Sequence, residues 1–311
     1  MDIVTIILVV LGLCLFEVIN SIDNAIINAQ VLSTMQEKAR RWFLIWGLLI
    51  AVFLIRGLLP WLIVWISTPG LGAWGALTAT FSSDPSVMKA VEASAPILLM
   101  GGGIFLIFLF LHWLFLEEKH YGLIGERFFS TKGVWFFAIA SVLLTIIVWF
   151  AMKISAMVAF GAVVGSTAFF ITHGFKQNAE ANEKKLMDRS MSDLSKIFYL
   201  EVIDATFSID GVLGAFAFTL SVPLILLGNG LGAFVLRELT VKNVDKIKQY
   251  VYLKNGAMYS ILVLGCIMAA DAFGVHIPAW LSPVVTFAIV GYFFYKSKRH
   301  KDKSGSVSVS C

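Results

Sequence analysis

The sequence predicts an all-α polytopic membrane protein with about nine transmembrane helices, and three observations predict it. Of the 311 residues, 59% are apolar and only 14% are charged, against about half and about a quarter in a soluble domain. The apolar residues gather in runs near the twenty or so that span a hydrocarbon core. The basic residues collect on alternate connections, as the positive-inside rule requires. A mean hydropathy of +0.85 excludes a disordered chain. Three cysteines are too few for a disulfide framework: Cys14 and Cys266 lie in apolar runs and Cys311 ends the polar tail.

The runs cover residues 3–32, 42–66, 96–116, 134–152, 155–172, 197–220, 223–240, 251–270 and 277–295. The first has no basic leader and no small-residue cleavage site, so it reads as a retained helix. The connections after runs one, three, five, seven and nine hold twenty of the twenty-four Lys and Arg. The opposite side holds Lys89 and Lys153, and Arg56 and Arg237 fall within runs. This split puts the amino terminus outside and the carboxyl terminus in the cytoplasm, as in a bacterial inner membrane protein. Residues 1–295 form one transmembrane domain, 173–196 a cytoplasmic connection that reads as a solvated loop or, alternatively, a short amphipathic helix, and 296–311 a basic, disordered cytoplasmic tail whose lysines suit anionic lipid. Trp42, Trp61, Trp65, Trp113, Trp135 and Trp280 read as interface anchors, and His112 and His173 as interfacial residues at span ends.

An internal repeat carries the buried charges. A shift of 187 positions lays Glu17, Ser21, Ile22 and Asp23 on Asp204, Ser208, Ile209 and Asp210 without a gap. Each copy is followed by a helix with one arginine, Arg56 or Arg237, and then by a third run. The glycines Gly101, Gly102 and Gly103 mark that run in the first copy, and Asn255, Gly256 and Ala257 open it in the second. Repeat one spans about 3–116 and repeat two about 197–270. An odd number of crossings separates the copies, so they are expected to run in opposite directions, the inverted plan of many secondary transporters.

Five carboxylates, Glu17, Asp23, Glu201, Asp204 and Asp210, fall at membrane depth, where each ionised group costs about 2.5–3.5 kcal/mol. Arg56 and Arg237 can neutralise two of them, and the excess suits a divalent cation or exchangeable protons. With Asn20, Asn24, Ser21 and Ser208 the donor set is all oxygen, which favours Mn²⁺, Ca²⁺ or Mg²⁺ over softer metals. Glu17 and Ser21, and Asp204 and Ser208, share a helical face, as do Glu201 and Asp204. Six residues, however, put Asp23 and Asp210 about 120° from their partners. Either the helices unwind near residues 21–24 and 208–211, or there are two sites that hand on an ion or a proton.

At these segments the chain resembles the TerC family of integral membrane proteins, named for tellurium resistance and including manganese exporters, within the LysE-like transporter group. The resemblance rests on Glu17 with Ser21 to Asn24, on Asp204 with Phe207 to Asp210, on the helices around Arg56 and Arg237, and on Gly101 to Gly103. Gly211 stands where that family commonly has Ser, the mark of a divergent branch. The resemblance implies export of Mn²⁺ or a related ion, with Glu17, Asp23, Asn24, Asp204 and Asp210 as metal positions. No organic cofactor, nucleic acid partner or enzymatic activity is expected: neither a phosphate-binding loop nor a nucleophile constellation is present. The alternative is a non-transporting scaffold or metal-sensing partner in stress resistance.

Overall fold

Every regular element among the described residues is helical. The structure, a computed structural model, describes residues 2–47, 50, 56–68, 70, 72–79, 85–186 and 191–307. The side chains of Asp23, Arg56 and Arg237 lie outside that set. In chain order the helices are α1 (Ile3–Asn20), α2 (Ile22–Ser33), α3 (Glu37–Trp42), α4 (Arg56–Ser67), α5 (Gly72–Ala79), α6 (Pro85–Leu116), α7 (Glu126–Ser130), α8 (Trp135–Ala151), α9 (Ala156–Leu186), α10 (Asp193–Ala215), α11 (Val222–Lys248), α12 (Leu253–Ala272) and α13 (Leu281–Val307). A π-helical turn, Phe43–Gly47, follows α3.

Among the described residues, four segments are long and apolar enough to cross a membrane: Ile3–Asn20, Ala93–Leu116, Ala156–Gln177 and Leu253–Ala272. Two shorter apolar helices, Trp135–Ala151 and Val222–Leu236, accompany them. Helix α10 is long enough, but its acids and Lys196 dilute its hydropathy. The described chain is thus an all-α protein of membrane type.

Helix α6 is the centre of the packing, with 78% of its apolar window buried against 39% for α1 and for α9. Glycine explains how its neighbours come so close. A Cβ on Gly103 would lie 2.9 Å from the Gly265 carbonyl of α12, and one on Gly161 of α9 would lie 2.6 Å from the Ile97 carbonyl of α6. In an apolar solvent such backbone proximity, not hydrophobic exclusion, holds helices together. Trp113, Phe105, Phe108 and Phe169 fill the remaining core. Outward, α8 bares Phe137, Val142, Trp149 and Phe150, and α9 bares Phe160, Val164 and Phe170. Contiguous apolar faces of this extent suit lipid rather than water.

Several expected bounds change. The run at 3–32 is two helices meeting at Ser21, and the described residues of the run at 42–66 include the end of α3, the π turn and α4. The 173–196 loop is helical as far as Leu186, because α9 extends beyond its apolar part. Helix α13 continues through the basic segment to Val307, so most of the tail expected to be disordered is helical.

Candidate cation site

Two linked pairs form here: Glu17 on α1 with Ser21 at the junction, and Asn24 on α2 with Asp204 on α10. Ser21 has φ −98° and ψ 5°, and backbone bonds still cross it, from Ser21 N–H to the Glu17 carbonyl and from Ala25 N–H to the Ser21 carbonyl, each 3.0 Å. The junction is therefore a shallow break rather than a loop. Its hydroxyl donates to Glu17 Oε1 at 2.8 Å. Glu17 is fully buried. Across the seam, Asn24 Nδ2 donates to Asp204 Oδ1, while Asn24 Oδ1 is buried with no hydrogen-bond partner among the described residues. A Cβ on Gly211 of α10 would lie 3.2 Å from Glu17 Oε2 and 3.5 Å from Asn20 Nδ2. On the other side, Gly232 of α11 lies so close to α1 that a Cβ there would be 2.6 Å from Glu17 Cβ.

The α2/α10 seam is antiparallel. Gln36 N–H donates to Asp193 Oδ2 at 3.2 Å, Lys196 Nζ donates to Thr34 Oγ1 at 2.9 Å, and Asn24 meets Asp204. As one number falls the other rises. Between these rungs Val31, Leu32, Ile197 and Leu200 close the seam with apolar contacts.

Not all expected residues join. Helix α10 is continuous through residues 208–211, against the unwinding expected there. The Ser208 hydroxyl returns to the Asp204 carbonyl at 2.7 Å, the local bond that a mid-helix serine prefers, and not to the Asp204 carboxylate. Asp210, buried, lines a crevice with Phe105, Phe169, His173 and Lys176 instead. The 120° separation already forbade one helix from aiming both aspartates at one point. Among the described residues no group of three or more His, Cys, Asp and Glu forms a metal cage; the expected positions form linked pairs instead.

A second polar centre was not foreseen. His112 is 6% exposed and meets His173 with ring centroids 3.7 Å apart and the planes tilted by 51°, so neither reads as a plain interface residue. Glu117 Oε1 lies 3.5 Å from His112 Nδ1 and its Oε2 lies 3.0 Å from Lys254 Nζ. Burial pushes the Glu117 carboxyl up, but His112, Lys254 and Lys176 outweigh it and hold it well below the usual carboxylate range.

A family model, described as a protein of unknown function (DUF475), matches residues 22–303. The chain belongs to the DUF475 family. No curated protein and no solved structure matches it. The DUF475 match covers the Asn24 and Asp204 pair and begins just after Glu17 and Ser21.

Proposed function

We propose that this DUF475 protein is a secondary transporter that carries a divalent cation, foremost Mn²⁺, out of the cytoplasm of a bacterium, driven by a proton or ion gradient. The observation that carries the reading is the meeting of the two acidic segments, with Asn24 bonded to Asp204 and Gly211 set against Glu17. The inverted repeat draws support from the same pair of contacts. A shift of 187 takes Asn24 to Gly211 and exchanges Asp204 with Glu17, so one contact becomes the other under the operation that relates the copies. The opposed directions of α2 and α10 agree with copies that cross the bilayer in opposite senses.

Glu17, Asn24 and Asp204 are the ligands of this reading, with Ser21 orienting Glu17 and with Asp23 completing the oxygen set. Carboxylate and amide oxygens suit a hard cation, and the motif resemblance favours Mn²⁺ within that class. Nine crossings with the amino terminus outside follow from the distribution of basic residues.

The test is flux into liposomes holding a divalent-metal dye, comparing Mn²⁺, Ca²⁺ and Mg²⁺ with and without a proton gradient. Metal-selective flux, lost in Glu17→Gln and Asp204→Asn proteins of normal folded yield, is the expected result. No flux from well-folded wild-type protein under either condition overturns the proposal and favours a scaffold or sensor.

A further inference from the structure

We infer that Asn28 and Glu201 form a second oxygen-ligand station for the cation, one rung along the α2/α10 seam from Asn24 and Asp204. The inference rests on the transport reading above. The antiparallel register that joins Asn24 to Asp204 and Thr34 to Lys196 sets Asn28 level with Glu201. Four residues along α2 and three along α10 put this rung about 5–6 Å from the first, toward the end where Gln36 meets Asp193.

The unsatisfied atoms coincide with that rung. Both Glu201 carboxylate oxygens and Asn28 Oδ1 are buried and have no hydrogen-bond partner among the described residues, and Asn24 Oδ1, on a residue 3% exposed, is in the same state one turn away. A carboxylate stripped of water and left bare is among the most costly arrangements in a low-dielectric interior, and it is stabilised by positive charge. The space is also built. Gly47, the last residue of the π turn, approaches Glu201 so closely that a Cβ there would strike Oε1 as the carboxylate is placed.

Two carboxylate oxygens and an amide oxygen recognise the same hard divalent cations as the first pair. Two stations a turn apart let an ion step between moderately strong sites, which is what passage requires: each site holds the ion firmly enough to admit it and weakly enough to release it.

The experiment is a Mn²⁺ titration of the full chain in detergent, followed by electron paramagnetic resonance, alongside liposome flux. Wild type is expected to bind two Mn²⁺ per chain, and Glu201→Gln and Asp204→Asn one each. Glu201→Gln is expected to lower Mn²⁺ flux at least tenfold at unchanged folded yield. Asn28→Asp, which adds a negative ligand, is expected to tighten one of the two affinities several-fold, and it tests the station independently of any folding defect in Glu201→Gln. Wild-type stoichiometry in Glu201→Gln together with unaltered affinity in Asn28→Asp overturns the inference. If Asp204→Asn has meanwhile abolished flux, the transport reading stands without it; if Asp204→Asn leaves flux intact, the transport reading itself fails.

Discussion

Replacing Gly232 by Ala probes packing and function with one methyl group. The added Cβ would lie 2.6 Å from Glu17 Cβ, 2.7 Å from the Cys14 carbonyl oxygen and 2.9 Å from Glu17 Cγ. These are backbone or near-backbone atoms, so no rotamer change relieves them. Ordinary contact begins at 3.4 Å, so α11 and α1 must part by about 0.8 Å, and a gap of that size forfeits about a quarter to a half of each dispersion contact along the seam. Overpacking of this kind costs about 1–3 kcal/mol, which in a chain of this size lowers the melting temperature by roughly 2–5 °C. Because α1 carries Glu17, the displacement also reaches the candidate ligand. Gly228→Ala is the control, since Gly228 meets Leu13 and Val10 one turn away and not Glu17. Both variants are expected to melt early in a fluorescence-monitored scan in detergent, but only Gly232→Ala is expected to lose Mn²⁺ flux by tenfold or more. Gly174→Ala, with nothing within 4 Å of the new atom, is expected to change neither. A Gly232→Ala melt within 1 °C of wild type would refute the packing argument, and equal flux loss in Gly228→Ala would refute the role given to Glu17.

Two further predictions concern the connection at residues 117–125. Glu126 is 1% exposed and accepts from Gly122 N–H at 2.6 Å and from Asn255 Nδ2 at 2.9 Å; Glu126→Ala strands the Gly122 N–H and leaves Asn255 Nδ2 only its bond to the His120 carbonyl, is expected to destabilise by about 1–3 kcal/mol, and should raise amide exchange across this connection. Lys119 donates to the Trp113 and Leu114 carbonyls at 2.5 and 2.6 Å, and desolvation pushes its pKa from 10.5 down to about 8. Between those values the unfolded chain holds the proton longer than the folded one. The contribution of this group to stability therefore rises as pH climbs from 8 toward 10.5, which melts of wild type and Lys119→Met across that window would show; a falling difference refutes the sign.

The helical class and most of the middle elements were legible because their apolar runs are long and end in polar residues. Residues 134–152 became α8 (Trp135–Ala151), and 251–270 became α12 (Leu253–Ala272). The helical tail was hidden because Lys296 to Lys303 look like lipid-facing charge, whatever the backbone does. The repeat exposed Glu17 and Asp204, yet it concealed Asn28, whose counterpart under the shift is Ala215. A residue present in one copy only is invisible to a search for what recurs. Its signal lies in register: only when α2 is known to run against α10 does Asn28 fall opposite Glu201. His112 and Glu117 escaped for a related reason, since their meeting with His173 and Lys254 joins helices far apart in sequence.

The two copies use the same letters differently, and the difference accounts for the asymmetry of the site. In the first copy the Ser21 hydroxyl turns to the Glu17 carboxylate, and the helix is interrupted there. In the second the Ser208 hydroxyl turns back to the Asp204 carbonyl, and α10 stays whole. Asp204 therefore lacks a bond from its own serine and takes one from Asn24 across the seam, whereas the position equivalent to Asn24 beside Glu17 is Gly211, which supplies no side chain. Ser21 serves Glu17 from its own helix junction, whereas Asn24 serves Asp204 from the other copy. Restoring the missing amide by Gly211→Asn would crowd Glu17, because the first atom of that side chain already falls 3.2 Å from Oε2. The glycine thus follows from Glu17 being one methylene longer than Asp204: the longer acid reaches into the space that the shorter one leaves to an asparagine.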